Sequence, residues 1–441
     1  MKNKKKENLK YILIILCIAF IMPSVMYIIL GNSILELNSD FNFFYFPKGV
    51  EDYKTIGNIL FFTIFAGIHI TYFFILFRTK KNKNDLFKNE KQIFLFIIII
   101  SILFTIVLPI TSSDVFYYIG TGWSEAKYHV NPYKTSVEEV INENNLEEES
   151  QSDEMLWATP WVWRNRVVVY GPVWTFVCKI LSGLSSGNLA VGLLLYKLFN
   201  LMLHIASCYF IYKITNKKVN FLLLYGLNPF ILFNGLSNVH NDMLVLFFIT
   251  LAIYILLKKK NIVGSIIILA IATATKYYAV LIIPFLVIYY YQNKTTGRKI
   301  LYSLLLACLF LSVFFTCYLF YVQDGSFFAG IITQQNKFAN SVFLLLSYYI
   351  SIDIATKVAK MCMMGYILLY IFVIIKLLFS KKKRTFSSFM RKYNRIIIIV
   401  YIWNNNTISN LVCIMGFYNN CVAKKKNNLY NYKTDNCIRI F

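Results

Sequence analysis

Residues 92–118 read QIFLFIIIISILFTIVLPITSSDVFYY. The part from 92 to 110 carries no charged side chain and approaches the ~20 residues that a helix needs to span a bilayer. Ser112, Ser113 and Asp114 follow at once, so a carboxylate stands where the chain leaves the apolar run. Ser and Asp are preferred helix N-caps, which is one reading of this junction. The other is a general base at a membrane surface, able to reach substrates held in the adjoining leaflet.

Working outward, apolar runs recur near 11–30, 58–77, 189–212, 219–234, 243–257, 262–292, 300–322 and 361–379. The 441-residue chain is 58% hydrophobic and 17% aromatic, more apolar surface than a water-soluble fold can hide. Its formal charge of +24 would suggest nucleic acid in a soluble protein. Here the cations sit in short joints between apolar runs, at 2–10, 78–91, Lys217 and Lys218, Lys258 to Lys260, 294–299 and Lys381 to Arg384. Such joints mark the cytoplasmic side, which places the N-terminus inside and leaves no role for nucleic acid. The segment 111–188 contains Glu138, Glu139, Glu143, Glu147, Glu148, Glu149, Asp153 and Glu154, and is expected outside.

The charge pattern requires the run 262–292, flanked by cations on both sides, to cross an even number of times; a helical pair bent near Lys276 satisfies this. Residues 172–186 begin at Gly171-Pro172 and are too short to span, so they are expected to lie along the interface. The run 11–30 lacks a small-residue cleavage site and is read as a first, uncleaved span. The expected fold is all-α, a polytopic transmembrane helical bundle of about ten spans in a cell membrane. Its large extracytoplasmic loop follows the third span, and one membrane domain covers 1–400. The 9 Cys are scattered, without CxxC spacing, and indicate neither a disulfide framework nor a metal site.

Four polar groups stand out. Beside Asp114 and Tyr117 there is Tyr128-His129-Val130-Asn131-Pro132-Tyr133, followed by Arg164, Arg166 and Val169-Tyr170-Gly171-Pro172. Asn-Pro and Gly-Pro read equally as turn geometry. Gly235-Leu236-Ser237-Asn238-Val239-His240-Asn241-Asp242 joins two apolar runs and is either a polar turn or a functional cluster packed against spans. Lys276, within Thr275-Lys276-Tyr277-Tyr278, either snorkels to the interface or holds a lipid phosphate.

Taken in order, the stretches SSDVFYYIGTGWSEAKYHVNPY, VVVYGPVW, LNPFILFNGLSNVHNDMLVLFF and ATATKYYAVLIIP resemble the GT-C glycosyltransferases, in particular the bacterial polyprenol-phosphate-mannose-dependent mannosyltransferases. That resemblance implies a catalytic Asp on the first large outer loop, a role that falls on Asp114. It also implies inverting transfer of a hexose, in the first place mannose, from a polyprenyl phosphate to a glycan or glycolipid acceptor. No metal or other cofactor is implied. Lys276, Arg164 and Arg166 would steady the leaving phosphate. His240, Asn241 and Asp242 would meet sugar hydroxyls, with Tyr117, Asn131, Tyr133 and Tyr170 lining the substrate. A lipid or glycan transporter is the competing expectation; it would favour broken helices near mid-membrane and internal repeat symmetry.

From about Tyr401 the chain turns into low-complexity Asn, Lys, Tyr and Ile, ending in a basic tail over 401–441. An authentic tail is one reading. The other is out-of-frame translation of AT-rich DNA: shifted by one nucleotide, with synonymous codons chosen freely, 403–416 becomes GIIIQFQTWYVLWV. That peptide resembles the Gln-x-Trp-Tyr segment expected on a late outer loop of the family, and on this reading the product lacks its last helices and is inactive.

Overall fold

The computed structural model describes residues 51–80, 87, 89–109, 112–146, 153–321, 347–380, 384–386 and 388–391. The run 11–30, the tail 401–441 and the shifted segment 403–416 lie outside the described residues. Those that are described form helices and connecting turns, with no strand among them.

Helix α1 (Glu51–Lys80) and α2 (Glu90–Ile106) precede the Ser-Ser-Asp junction, and α3 (Asp114–Tyr128) starts at that carboxylate. Short helices α4 (Val137–Glu143), α5 (Glu154–Trp157) and α6 (Trp161–Arg164) follow, then α7 (Pro172–Leu184) and the long α8 (Leu189–Ile214). Ser136 and Glu139 close α4 with a reciprocal capping box. Pro172 occupies the first turn of α7, where a missing N–H costs nothing.

The acidic segment is held by charge pairs in which buried carboxylates meet half-exposed lysines. Asp153 accepts from Lys127 Nζ at 2.7 Å, Trp123 Nε1 at 2.8 Å and Tyr128 Oη at 2.8 Å. Burial alone would raise its pKa, but the hydrogen bonds from Lys127, Trp123 and Tyr128 outweigh it and hold the carboxyl below its usual range. Glu125 joins three elements: it pairs with Lys179 of α7 at 3.1 Å and accepts from Tyr321 at 3.2 Å, just beyond α14 (Thr296–Tyr318). Burial pushes the Glu125 carboxyl up against the opposing pull of Lys179.

Helix α8 shows how the bundle is organised. Its buried stripe contains Tyr196, Lys197, Asn200, His204 and Ser207 among aliphatic residues, while Val191, Leu194, Leu198 and Met202 face outward. Polar groups inside and apolar groups outside is the arrangement required in lipid. The run 219–234 is divided between α9 (Val219–Gly226) and α10 (Pro229–Leu232), the latter continuing as a π-helix over Phe233–Ser237, with a bend of 45°. Asn228 caps the new start by accepting from Phe230 N at 3.0 Å, and Pro229 cannot continue the preceding hydrogen-bond ladder. After α11 (Asp242–Lys258) and α12 (Ile262–Thr273), the chain extends at Lys276, forms a 3-10 segment over Tyr277–Ile282 and re-enters α13 (Ile283–Tyr290). The helix of the run 262–292 is interrupted at Lys276.

Among the described residues, α8, α14 and α15 (Ile352–Leu378) are long and apolar enough to cross a membrane, with the bent pair as a fourth candidate. The count stands below the expected ten: α2 and α11 reach only 17 residues each, the apolar part of α1 is recorded only over Phe65–Thr79, residues 262–290 form two shorter pieces, and the first run lies outside the described residues. Helix α7 reaches only 13 residues and exposes Phe176, Ile180 and Leu184 along one face. Its opposite face packs on α3 through Gly122, where a Cβ would collide with the Cys178 carbonyl.

Candidate functional site

Asp114 is the first residue of α3, preceded by the non-helical Ser113, and its backbone N–H donates to Ser112 Oγ at 3.3 Å. Neither Ser113 nor Asp114 caps the helix in the usual way, since Ser113 makes no side-chain cap hydrogen bond. The carboxylate instead faces two other groups through Oδ2: Tyr118 Oη donates to it at 3.4 Å, and His240 Nδ1 lies 3.4 Å away. Among the described residues nothing hydrogen-bonds Oδ1. The side chains of Asp114 and His240 are each about a quarter exposed, so the pair opens to the surroundings.

A second charge pair adjoins the first. Lys276 Nζ donates to Asp242 Oδ1 and Oδ2 at 3.0 and 3.1 Å and to Asn241 Oδ1 at 3.2 Å. Tyr278 Oη donates to Asp242 Oδ1 at 2.6 Å. The ammonium also faces the rings of Tyr170 and Tyr278 at 5.9 and 5.8 Å, within cation–π range. Around this largely enclosed lysine, a carboxylate, an amide oxygen and two π faces take the place of water.

Tyr118 and Tyr170 link the two pairs. Their rings meet edge to face at 5.3 Å. Burial raises both phenols well above their ordinary range, and the negative charges of Asp114 and Asp242 push them further. Both therefore stay neutral donors.

The backbone that carries Lys276 is held by the Gly-Pro motif. Gly171 N donates to the Thr275 carbonyl and Val173 N to the Ala274 carbonyl, each at 3.1 Å. A Cβ on Gly171 would overlap the Ala274 carbonyl oxygen. Tyr133 is buried and donates to the Tyr170 carbonyl at 2.8 Å, while Asn131 Oδ1 accepts from Tyr133 N in a local turn. These two residues support the site from behind.

Thus Asp114, Tyr170, His240, Asn241, Asp242 and Lys276 come together from four separate parts of the chain. Tyr117 and Arg166 lie at the edge. Tyr117 Oη donates to the Arg166 carbonyl at 3.2 Å, and the Arg166 guanidinium stacks on Trp163 at 4.6 Å. Burial raises the Tyr117 phenol, Arg166 opposes the rise, and Asp114 adds to it. Arg164 does not join the group. Its buried guanidinium donates to the carbonyls of Thr159 and Trp157 at 2.9 and 2.7 Å and stacks on the Trp157 indole, which makes it a brace of the loop.

Sequence reading passed over Tyr118, Tyr278, Lys197 and Asn200. The last two had a signal: with His204 they stand three and four positions apart inside an apolar run, one polar stripe on a spanning helix. Lys197 Nζ donates to the carbonyls of Val107 and Ser237, and Asn200 Nδ2 to those of Gly235 and His240. Tyr118 and Tyr278 sat inside recognised motifs, but only packing distinguishes them from neighbouring tyrosines.

The comparisons with known proteins bear on the same residues. No curated protein and no solved structure matches the chain. Residues 46–292, which carry every member of the site just described, match a family whose description reads alpha-(1->6)-mannopyranosyltransferase, N-terminal domain. With more than half of its length accounted for in this way, the chain belongs to the MptA_B family of mannosyltransferases.

Proposed function

We propose that this chain transfers mannose from a polyprenyl-phosphate donor to a glycan or glycolipid acceptor at the extracytoplasmic face of the membrane, with inversion at the anomeric carbon. The observation that carries the reading is the juxtaposition, inside the family-matched region, of a carboxylate about a quarter exposed with a lysine held beside aromatic rings.

In the proposed reaction, the acceptor oxygen attacks the anomeric carbon from the face opposite the phosphate, while Asp114 takes the acceptor's proton on its available oxygen. The bond from the anomeric carbon to the phosphate oxygen breaks, and its electron pair leaves on the phosphate. A phosphate leaving group is a weak base and needs little protonation, so one carboxylate suffices where glycosidases with alkoxide leaving groups use two. Lys276 would meet the developing phosphate charge. Asn241 also has a buried Nδ2 without a partner among the described residues, a donor that a substrate oxygen would satisfy.

A transporter would also use helices as discontinuous as α9 with α10 and α12 with α13. Membership in a mannosyltransferase family favours chemistry at these breaks. The test is transfer of radiolabelled mannose from polyprenyl-phosphate mannose to membrane acceptors, by the 441-residue chain and by a form with its frame restored before Trp403. Asp114→Asn is expected to lower transfer by about 10²-fold or more. Equal rates in both would remove Asp114 as the base.

A further inference from the structure

His240 occupies its position by virtue of a turn that a simple connection between helices would not need. The preceding segment Phe233–Ser237 is a π-helix, a form that is frequent at functional sites. Val239, a fully buried β-branched residue, sits in the left-handed region at φ 58°, where such side chains are strained. The surroundings hold this conformation from several directions. His240 N donates to the Asn234 carbonyl at 3.0 Å, and Asn200 Nδ2 donates to the His240 carbonyl at 3.1 Å and the Gly235 carbonyl at 2.8 Å. Lys197 ties the Ser237 carbonyl to the Val107 carbonyl at the end of α2, and Ser237 Oγ donates to the Phe104 carbonyl at 3.0 Å.

The same clamp therefore fixes both the end of α2, from which Asp114 emerges, and the turn that carries His240. Its product is the 3.4 Å approach of Nδ1 to Asp114 Oδ2. A ring meant only for a sugar hydroxyl has no need of a carboxylate at one nitrogen. Building on the transferase reading above, we propose that His240 is the relay through which the proton taken by Asp114 leaves the site.

Each turnover places the acceptor's proton on the Asp114 carboxyl. The proton passes to Nδ1 of the neutral imidazole, forming an imidazolium beside a restored carboxylate. The ring then gives up its Nε2 proton to water. Exchange with water that removes the proton from Nδ1 and returns one to Nε2 restores the starting tautomer, so that both Asp114 and the ring are ready again. The charged and titratable groups on the elements that build this site are Asp114 and Tyr118 from α3, Tyr170 ahead of α7, Lys197 from α8, Lys276 and Tyr278 beyond α12, and Asp242 close to His240 in sequence. Asp242 is held by Lys276, and Tyr118 and Tyr170 remain neutral, which leaves Asp114 as the partner in contact.

The experiment measures mannose transfer in membranes holding the full chain, in both reading-frame forms, as wild type, His240→Ala and His240→Gln, across about pH 5 to 9. The expected result is a kcat lowered about 10- to 100-fold in His240→Ala with little change in KM, and partial recovery when free imidazole is added. In His240→Gln the acidic limb of the pH profile moves to lower pH, because a carboxylate alone must then accept and release the proton. Wild-type turnover in His240→Ala overturns the relay. So does a loss that imidazole does not restore together with an unshifted acidic limb in His240→Gln. If His240→Ala does not accumulate, the His240→Gln profile decides alone. A wild type that transfers no mannose overturns the transferase reading and the relay together, whereas an active wild type indifferent to His240 overturns only the relay.

Discussion

At the scale of single residues, the Lys276 and Asp242 pair shows how a charge is carried within an apolar bundle. Each partner is nearly enclosed, so removing one strands the other. Asp242→Asn is expected to destabilise the fold by about 3–5 kcal/mol, the usual consequence of leaving a buried charge uncompensated. Asp242→Asn combined with Lys276→Met should recover most of that stability without recovering mannose transfer. Thermal unfolding in detergent, compared with the transfer assay, separates the two effects. Equal instability of the double variant would mean that packing, not charge balance, sets the cost. Arg164 shows the opposite lesson: sequence alone made it as good a phosphate ligand as Lys276, and only its two carbonyl partners assign it to the loop.

At the scale of elements, two breaks build the site, and each had a sequence mark. Pro229 after Asn228 ends α9, and the Thr-Lys-Tyr-Tyr stretch interrupts 262–292. The Gly-Pro motif read equally well as loop geometry, and in part it is that. Its further task, docking on the carbonyls of Ala274 and Thr275, depends on a segment about a hundred residues away and has no local signal. Gly171→Ala is expected to force these two backbones apart and cost about 1–3 kcal/mol. A lowered melting temperature with a raised KM for the donor would reflect displacement of Lys276, and an unchanged protein would show that the contact yields freely.

At the scale of the whole molecule, charge distribution predicts the side on which the acidic loop lies. A protease site inserted after the exposed Glu143 is expected to be cut in intact cells, whereas one inserted after the exposed Lys260 should be cut only once the membrane is opened. The reverse pattern would place the site on the cytoplasmic side and remove the proposed donor geometry. Helices α14 and α15 expose rows of large apolar side chains such as Leu304, Leu305, Leu368 and Phe372, as expected of surfaces solvated by lipid.

Composition and periodicity determined the all-helical membrane character and the motifs around Asp114, because long apolar runs and the polar groups between them are local properties of the chain. Their number of crossings was less legible, since a broken run and a continuous one share the same composition. Tertiary structure alone decided which polar residues meet: Asp114 with His240, and Lys276 with Asp242. Those pairs are separated by 126 and 34 positions, and only the packing of α3, α8 and the two breaks brings them within hydrogen-bonding reach.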